Sequence, residues 1–258
     1  MNGPDTAHAL ALDDMPADPV WHHVAADGPD HTGVGSTHAR RSPALIAVGD
    51  RRIAAAGQFP SSQQVGAIAL RSRALMSGDA AHVLYATAAM EGDGVSTVAR
   101  ELVHAVSGMK LSRTLLLDAH PGPNGQARHL GGALPDIVAG YEARYTLDVV
   151  EIEAEGNRFH AARWPMHAAS PVLPNLRKLL HAVYDLIVVD CPPILAHPYL
   201  PEVSRGPRQV LLVVRSEVSQ VRLVRRAQRE IEGLRATVWG VAVTGQRQVV
   251  PRFLDRWF

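Results

Sequence analysis

The chain has 258 residues, 47% of them hydrophobic, and 26 Lys plus Arg against 25 Asp plus Glu leave a formal net charge of +1. That is apolar material for one sizeable core, which excludes wholesale disorder, and no bulk charge argues for a nucleic-acid partner. A single cysteine, Cys191, excludes an internal disulfide and suits a reducing compartment.

Residues 1–45 are rich in Gly, Pro, Asp, Ala and His without periodicity, and read as a disordered tail. LIAVGDRRIAA (45–55) adds a short strand, and SSQQVGAIALRSRALMSG (61–78) reads as a helix capped by Ser61 or Ser62, with Val65, Ile68, Ala69 and Leu75 on one face. From Ala81 the pattern becomes regular. HVLYATA (82–88) is an apolar strand, followed by a Gly-rich turn and the helix STVARELVHAVSG (96–108). TLLLD (114–118) is a second strand, ending in an acid, and LPDIVAGY (134–141) reads as a short helix. LDVVEIE and NRFHAAR read as modest strands, and SPVLPNLRKLLHAVY is a helix leading into DLIVVD (185–190), again ending in an acid. RQVLLVV is a strand, SQVRLVRRAQREIEGL an amphipathic helix, and TVWGVAVTG a last strand.

Continuous apolar strands alternating with helices imply a doubly wound α/β fold, a mostly parallel sheet with helices on both faces. The expected division is a tail (1–45), one α/β domain (46–245), and a C-terminal tail (246–258) whose RFLDRWF forms a short amphipathic helix for a partner groove, a membrane surface or its own domain. The arginines of VRLVRRAQRE, namely Arg222, Arg225, Arg226 and Arg229, make a solvated basic face or a dock for an acidic partner. No run reaches the ~18 apolar residues of a membrane span, and no secretory signal opens the chain, so the expected location is the cytoplasm. The thirteen histidines fall in no recognised metal-ligand spacing.

The stretch with chemical content is AAMEGDGVST (88–97), between strand and helix. In a P-loop, glycines let backbone N–H groups curl around phosphate oxygens while the helix N-terminus adds a positive dipole. The usual GxxxxGK[ST] pattern adds a lysine for the β- and γ-phosphates and a hydroxyl for Mg²⁺. Gly92, Asp93, Gly94, Val95, Ser96 and Thr97 span that loop here, with Val95 in the lysine position and Ala89 in that of the first glycine. Alone, such a turn is as readily a tight βα connection without a ligand. Two later strands end in Asp118 and Asp190, where the carboxyl ends of central strands converge on a phosphate site and an acid holds Mg²⁺ or its water.

With these elements in order, VLYATAAMEGDGVSTVARELVHAVSG, RTLLLDAHPG, YDLIVVDCPPIL and QVLLVVRSEVSQVRLVRRAQREIEGLRATVWGVAVTG resemble the catalytic domain of the BY-kinases. These are bacterial tyrosine kinases of exopolysaccharide and capsule synthesis, within the deviant P-loop ATPases. The resemblance spans roughly residues 60 to 245, and Asp190-Cys191-Pro192-Pro193 carries it most specifically. It implies ATP and Mg²⁺ as ligands, with Ser96 as the Mg²⁺ hydroxyl, Thr97 beside the α-phosphate, and Asp118 and Asp190 as the acids of the second and third motifs. It also implies that LPDIVAG is the short helix that follows the second motif.

Departures from the family pattern bear on activity. Val95 replaces the phosphate lysine and Met90 the extra lysine of partition ATPases. The family's Asp-x-Asp reads Asp118-Ala119-His120-Pro121, without the second acid. In the oligomerisation helix, Val65 and Ile68 replace a Glu and an Arg, and only Arg71 matches. The family's terminal tyrosine cluster has no counterpart after Tyr199. Lysine occurs elsewhere only at Lys110 and Lys178, neither placeable in the loop, and nothing in the sequence obliges Arg100 or Arg215 to reach in. Losing one preorganised charge donor costs about 2.7–4 kcal/mol, roughly 10²–10³ in rate.

These losses predict no meaningful tyrosine kinase activity and lead to a catalytically degenerate regulator or scaffold in exopolysaccharide synthesis or export; the alternatives are an ATPase or tyrosine kinase with a rearranged phosphate site, and a partition-type relative that positions a membrane complex. The expected partner is a membrane chain-length, polymerisation or export component, or a homo- or hetero-oligomer, at the inner face of the membrane.

Overall fold

The computed structural model describes residues 46–48, 51–54, 63–75, 81–109, 113–121, 126–131, 133–137, 139–141, 145–164 and 173–245. The two predicted tails and the Ser61/Ser62 cap lie outside these residues.

In chain order the elements are β1 (Ile46–Val48), β2 (Arg51–Ala54), α1 (Gln63–Leu75), β3 (His82–Ala88), α2 (Val95–Ser107), β4 (Thr114–Asp118), α3 (Ala127–Leu130), β5 (Ala139–Tyr141) and β6 (Tyr145–Leu147). They continue as β7 (Val150–Ala154), β8 (Asn157–Arg163), α4 (Leu173–Val183), β9 (Leu186–Asp190), β10 (Arg208–Arg215), α5 (Val221–Gly233) and β11 (Ala236–Thr244). Eight strands form the main sheet in the order β11-β10-β3-β9-β4-β8-β7-β2, and β1-β6-β5 form a small second sheet. From β11 to β8 every pairing is parallel; β7 runs antiparallel to β8, and β2 pairs parallel with β7. The expected doubly wound α/β architecture is therefore present, with a reversed edge.

Strand alternation divides the core. Leu84, Ala86, Leu116, Leu186, Val188, Leu211 and Val213 face one side, where they meet Val98, Leu102 and Val106 of α2 and Val65 and Ala69 of α1. Val83, Tyr85, Leu115, Leu117, Ile187, Val189, Val210 and Leu212 face the other, where Leu176, Leu179 and Leu180 of α4 and Ala227 and Ile231 of α5 cover them. Burial on both faces is why the central strands read as unbroken apolar runs.

Two expectations need correction. The single strand expected over 45–55 is two, β1 and β2, in different sheets. LPDIVAGY is not a helix. Leu134–Ile137 runs extended against the end of β8, where Ile137 N–H donates to Arg163 O and Arg163 N–H to Pro135 O, each at 2.8 Å, and β5 follows. The backbone of Arg163 at the end of β8 pairs with the segment instead, and among the described residues the helical turn that follows β4 is α3, further upstream.

Candidate functional site

The loop from β3 to α2 turns on two glycines, Gly92 at φ 85° and Gly94 at φ 95°, a region that side-chain-bearing residues rarely adopt. A Cβ on Gly94 would also come within 3.3 Å of the Thr244 methyl. The ends of β10 and β11 pin the loop's carbonyls from outside. Thr244 Oγ1 donates to Asp93 O at 2.6 Å, and Arg215 Nη1 donates to Gly92 O at 3.3 Å. The Asp93 side chain turns inward, 3% exposed, where Ser219 Oγ donates to its Oδ1 at 2.8 Å. These bonds hold the carbonyls of Gly92 and Asp93 outward beside the N-terminus of α2, as a phosphate cradle would require.

Opposite the helix stand the two acids. Asp118 and Asp190 are direct register partners on β4 and β9. Two residues beyond Leu116 and Val188, both carboxyls leave the sheet on the α2 side. The segment after Asp190 stays parallel to β3: Cys191 N–H donates to Ala86 O and Ile194 N–H to Ala88 O, while Thr87 Oγ1 donates to Pro192 O at 2.7 Å. The acids are nearly sealed, Asp118 at 3% and Asp190 at 0% exposure.

Two residues that carried no site assignment in the sequence complete the cluster. His120 donates its backbone N–H to Asp118 Oδ1 at 3.0 Å, and its Nδ1 lies 3.1 Å from the same oxygen and 3.7 Å from Asp190 Oδ2. Gln126, fully buried, donates its backbone N–H to Asp118 Oδ2 at 2.8 Å. Its Nε2 donates to Asp190 Oδ2 at 2.7 Å and Ser96 O at 2.8 Å, and its Oε1 accepts from Arg100 Nη1 at 3.0 Å. Arg100 thus does reach the site, through the Gln126 amide and with its Nη1 also 3.5 Å from Ser96 O.

Burial pushes the Asp190 carboxyl up to about 6; His120 opposes this, Asp118 adds to it, and the neighbouring Ser96 and Gln126 groups favour the charged form. For His120, burial works against the cation, yet the Asp118 bond and the charges of Asp190, Asp118 and Glu91 raise it overall. Burial lowers Arg100, with Asp190 and Glu101 opposing.

Ser96, Asp118 and Asp190 supply the oxygen set that Mg²⁺ takes, and Asp190 Oδ1, buried without a hydrogen-bond partner, is a free acceptor for a cation. A nucleotide triphosphate is served less well. Val95 is 8% exposed and packs in the apolar cluster on the α2 side, so no cation stands at the lysine position, while Asp93 adds an acid to the loop. Of the other predicted loop residues, Gly92 and Thr97 are exposed and Gly94 and Ser96 half-buried at the mouth. Met90, 47% exposed, also opens there.

Elsewhere, Val65 is buried and Arg71 lies 4.8 Å over the Trp239 ring, while Arg222, Arg225, Arg226 and Arg229 are all exposed on α5. Among the described residues, no helix is long and apolar enough to cross a membrane.

No protein-family model matches the sequence, and no curated protein is similar to it. Solved structures are. The kinase domain of Escherichia coli tyrosine kinase ETK matches at 19% identity over 72% of this chain and 76% of that one, with a TM-score of 0.55. The chimerical protein CapA2B2 matches at 21% identity over 71% and 84%, with a TM-score of 0.56. The fold is therefore an α/β one of the P-loop NTPase-like kind. Within that class the fold is BY-kinase-like.

Proposed function

We propose that this protein is a catalytically degenerate BY-kinase-like regulator or scaffold in bacterial exopolysaccharide synthesis or export. The observation that carries the reading is Val95, packed into the core where phosphoryl transfer needs a cation. Such transfer depends almost wholly on positioning and charge stabilisation, and here the loop's own acid, Asp93, adds to the deficit. A cradle whose backbone shape persists without its charge is suited to presenting a surface rather than to turnover. In this reading the protein works at the inner face of the membrane, docked on a chain-length, polymerisation or export component or paired with a homologue.

A thermal shift with ATP, with and without Mg²⁺, is expected to be flat, because only a ligand bound to the native state raises stability. Phosphotyrosine on the purified protein, or a Mg²⁺-dependent ATP shift, would sink the reading.

Arg215 favours one rival. Its guanidinium donates to Gly92 O, so a permanent cation already stands against the loop. On that second reading ATP binds, and Arg215→Ala abolishes the binding.

A further inference from the structure

At Asp118, His120 and Asp190 the donor atoms lie within 4.8 Å of one another. We propose that these three residues bind a first-row transition-metal dication through two carboxylate oxygens and His120 Nδ1, without any nucleotide. The inference stands apart from the question of kinase activity, since the metal needs only these side chains.

The spacing is close to that of a filled site. Metal–ligand bonds of about 2.0–2.2 Å at octahedral or tetrahedral angles put neighbouring donors about 2.8–3.6 Å apart. His120 Nδ1 stands 3.1 Å from Asp118 Oδ1 and 3.7 Å from Asp190 Oδ2, and with all three donors within 4.8 Å the carboxylates need draw together by at most about an ångström to close the triad on an ion. Asp190 Oδ1 supplies a second sign of a missing ligand: it is wholly buried, on a side chain at 0% exposure, and accepts no hydrogen bond of good geometry, although the Ser96 hydroxyl stands close enough to favour the charged carboxylate. Supports are already in place, because Gln126 holds the outer oxygen of Asp118 with its N–H and Asp190 with its amide. Such outer-shell donors orient ligating carboxylates and typically control metal affinity by 10- to 100-fold. His120 itself is partly exposed, which leaves the ion an entry path and room for water as a further ligand.

The histidine decides the metal. Mg²⁺ demands oxygen ligands in near-ideal octahedral geometry, whereas imidazole suits Zn²⁺, Ni²⁺, Cu²⁺ and iron. A nitrogen in this position converts an oxygen site into a mixed one that prefers softer ions.

The test uses the full chain without an affinity tag, stripped with chelator, and titrated calorimetrically with Zn²⁺, Co²⁺ and Mg²⁺ in the absence of nucleotide. One saturable equivalent of Zn²⁺ or Co²⁺ is expected, at least about tenfold tighter than Mg²⁺, with a d–d absorption band for Co²⁺. His120→Ala should weaken Zn²⁺ binding at least about tenfold. His120→Asp should narrow the preference for Zn²⁺ over Mg²⁺, while circular dichroism shows both variants folded. Binding of several equivalents that His120→Ala leaves unchanged would mean adventitious capture by other histidines and would overturn the proposal, as would no saturable Co²⁺ or Zn²⁺ binding at all.

Discussion

Gln126 Nε2 lies 2.7 Å from Asp190 Oδ2, a bond that reaches across 64 residues of chain. The amide's orientation follows from the charges at its ends. Its oxygen faces the Arg100 guanidinium and its NH₂ faces the carboxyl, so one side chain connects cation to anion inside the fold. Gln126→Leu keeps most of the volume and removes all three side-chain bonds, stranding buried polar groups on both sides. Hydrogen bonds to charged groups contribute about 1.5–3 kcal/mol each, and partial rearrangement should leave a net loss of about 2–4 kcal/mol in urea unfolding. A loss under about 1 kcal/mol would show that water takes over the role.

Val95→Lys tests whether the loop is a cradle that lost its charge. The lysine has a short route to the mouth because α2 begins at this residue, and its long stem can cover the apolar ground that the valine fills now. The expected outcome is a Mg²⁺-dependent thermal shift with ATP in the variant where the native chain is flat. The same change should cost about 1–3 kcal/mol without ligand, since an ammonium replaces a buried apolar side chain. A folded variant that still ignores ATP would place the obstruction at Asp93 and Gln126 instead.

The parts legible in the sequence were those whose signal is local. HVLYATA, TLLLD and LIVVD stand out because both sheet faces are buried, and the same alternation that fixes Leu116 and Val188 on the α2 side also aims Asp118 and Asp190 there. Gly92 and Gly94 were legible because only glycine adopts their φ freely. The illegible parts depend on distant partners. Gln126 lies in PGPNGQARHL, which has no motif, and its role exists only when Asp190, Ser96 and Arg100 are brought beside it. His120 was visible in Asp118-Ala119-His120, yet as the loss of an acid; a histidine two residues after a strand-end acid was the signal that a donor had been exchanged rather than deleted. Leu134–Ile137 lacks any helical period strong enough to resist pairing with Arg163, and the resemblance to a family helix misled the reading there.

Tyr85 fastens the central strand to the chain between β9 and β10. Its hydroxyl donates to Pro201 O at 2.8 Å and accepts from Ser204 N–H at 3.0 Å, and burial pushes the phenol up to about 12. Tyr85→Phe leaves a carbonyl and an N–H without their partner while disturbing no packing. The expected cost is about 1–3 kcal/mol by chemical denaturation, with an unchanged m-value because the same surface is exposed on unfolding. A neutral result would mean that the 201–204 turn finds water without moving.

His181 should make the fold sensitive to mild acid. It stands in the last turn of α4, where the helix dipole favours a cation, yet burial lowers it below the ordinary value of 6.5, and the nearby Arg205 and Arg177 push the same way. The contact from Nε2 to Val203 O, at 2.9 Å, opposes the shift without cancelling it, and Nδ1 has no partner among the described residues. The unfolded chain takes up the proton near 6.5 and the folded one only at lower pH. Through that window the unfolded state binds more protons, so stability rises with pH and is lost as pH falls below about 6.5. His181→Gln retains an amide able to donate to Val203 O and cannot be protonated. Melting curves from pH 7.5 to 5 should therefore fall more steeply for the native chain than for the variant, with the difference opening below about 6.5. Parallel curves would mean that the imidazole is protonated inside the fold as easily as outside it, and that the Val203 carbonyl, not the surrounding apolar wall, sets its charge.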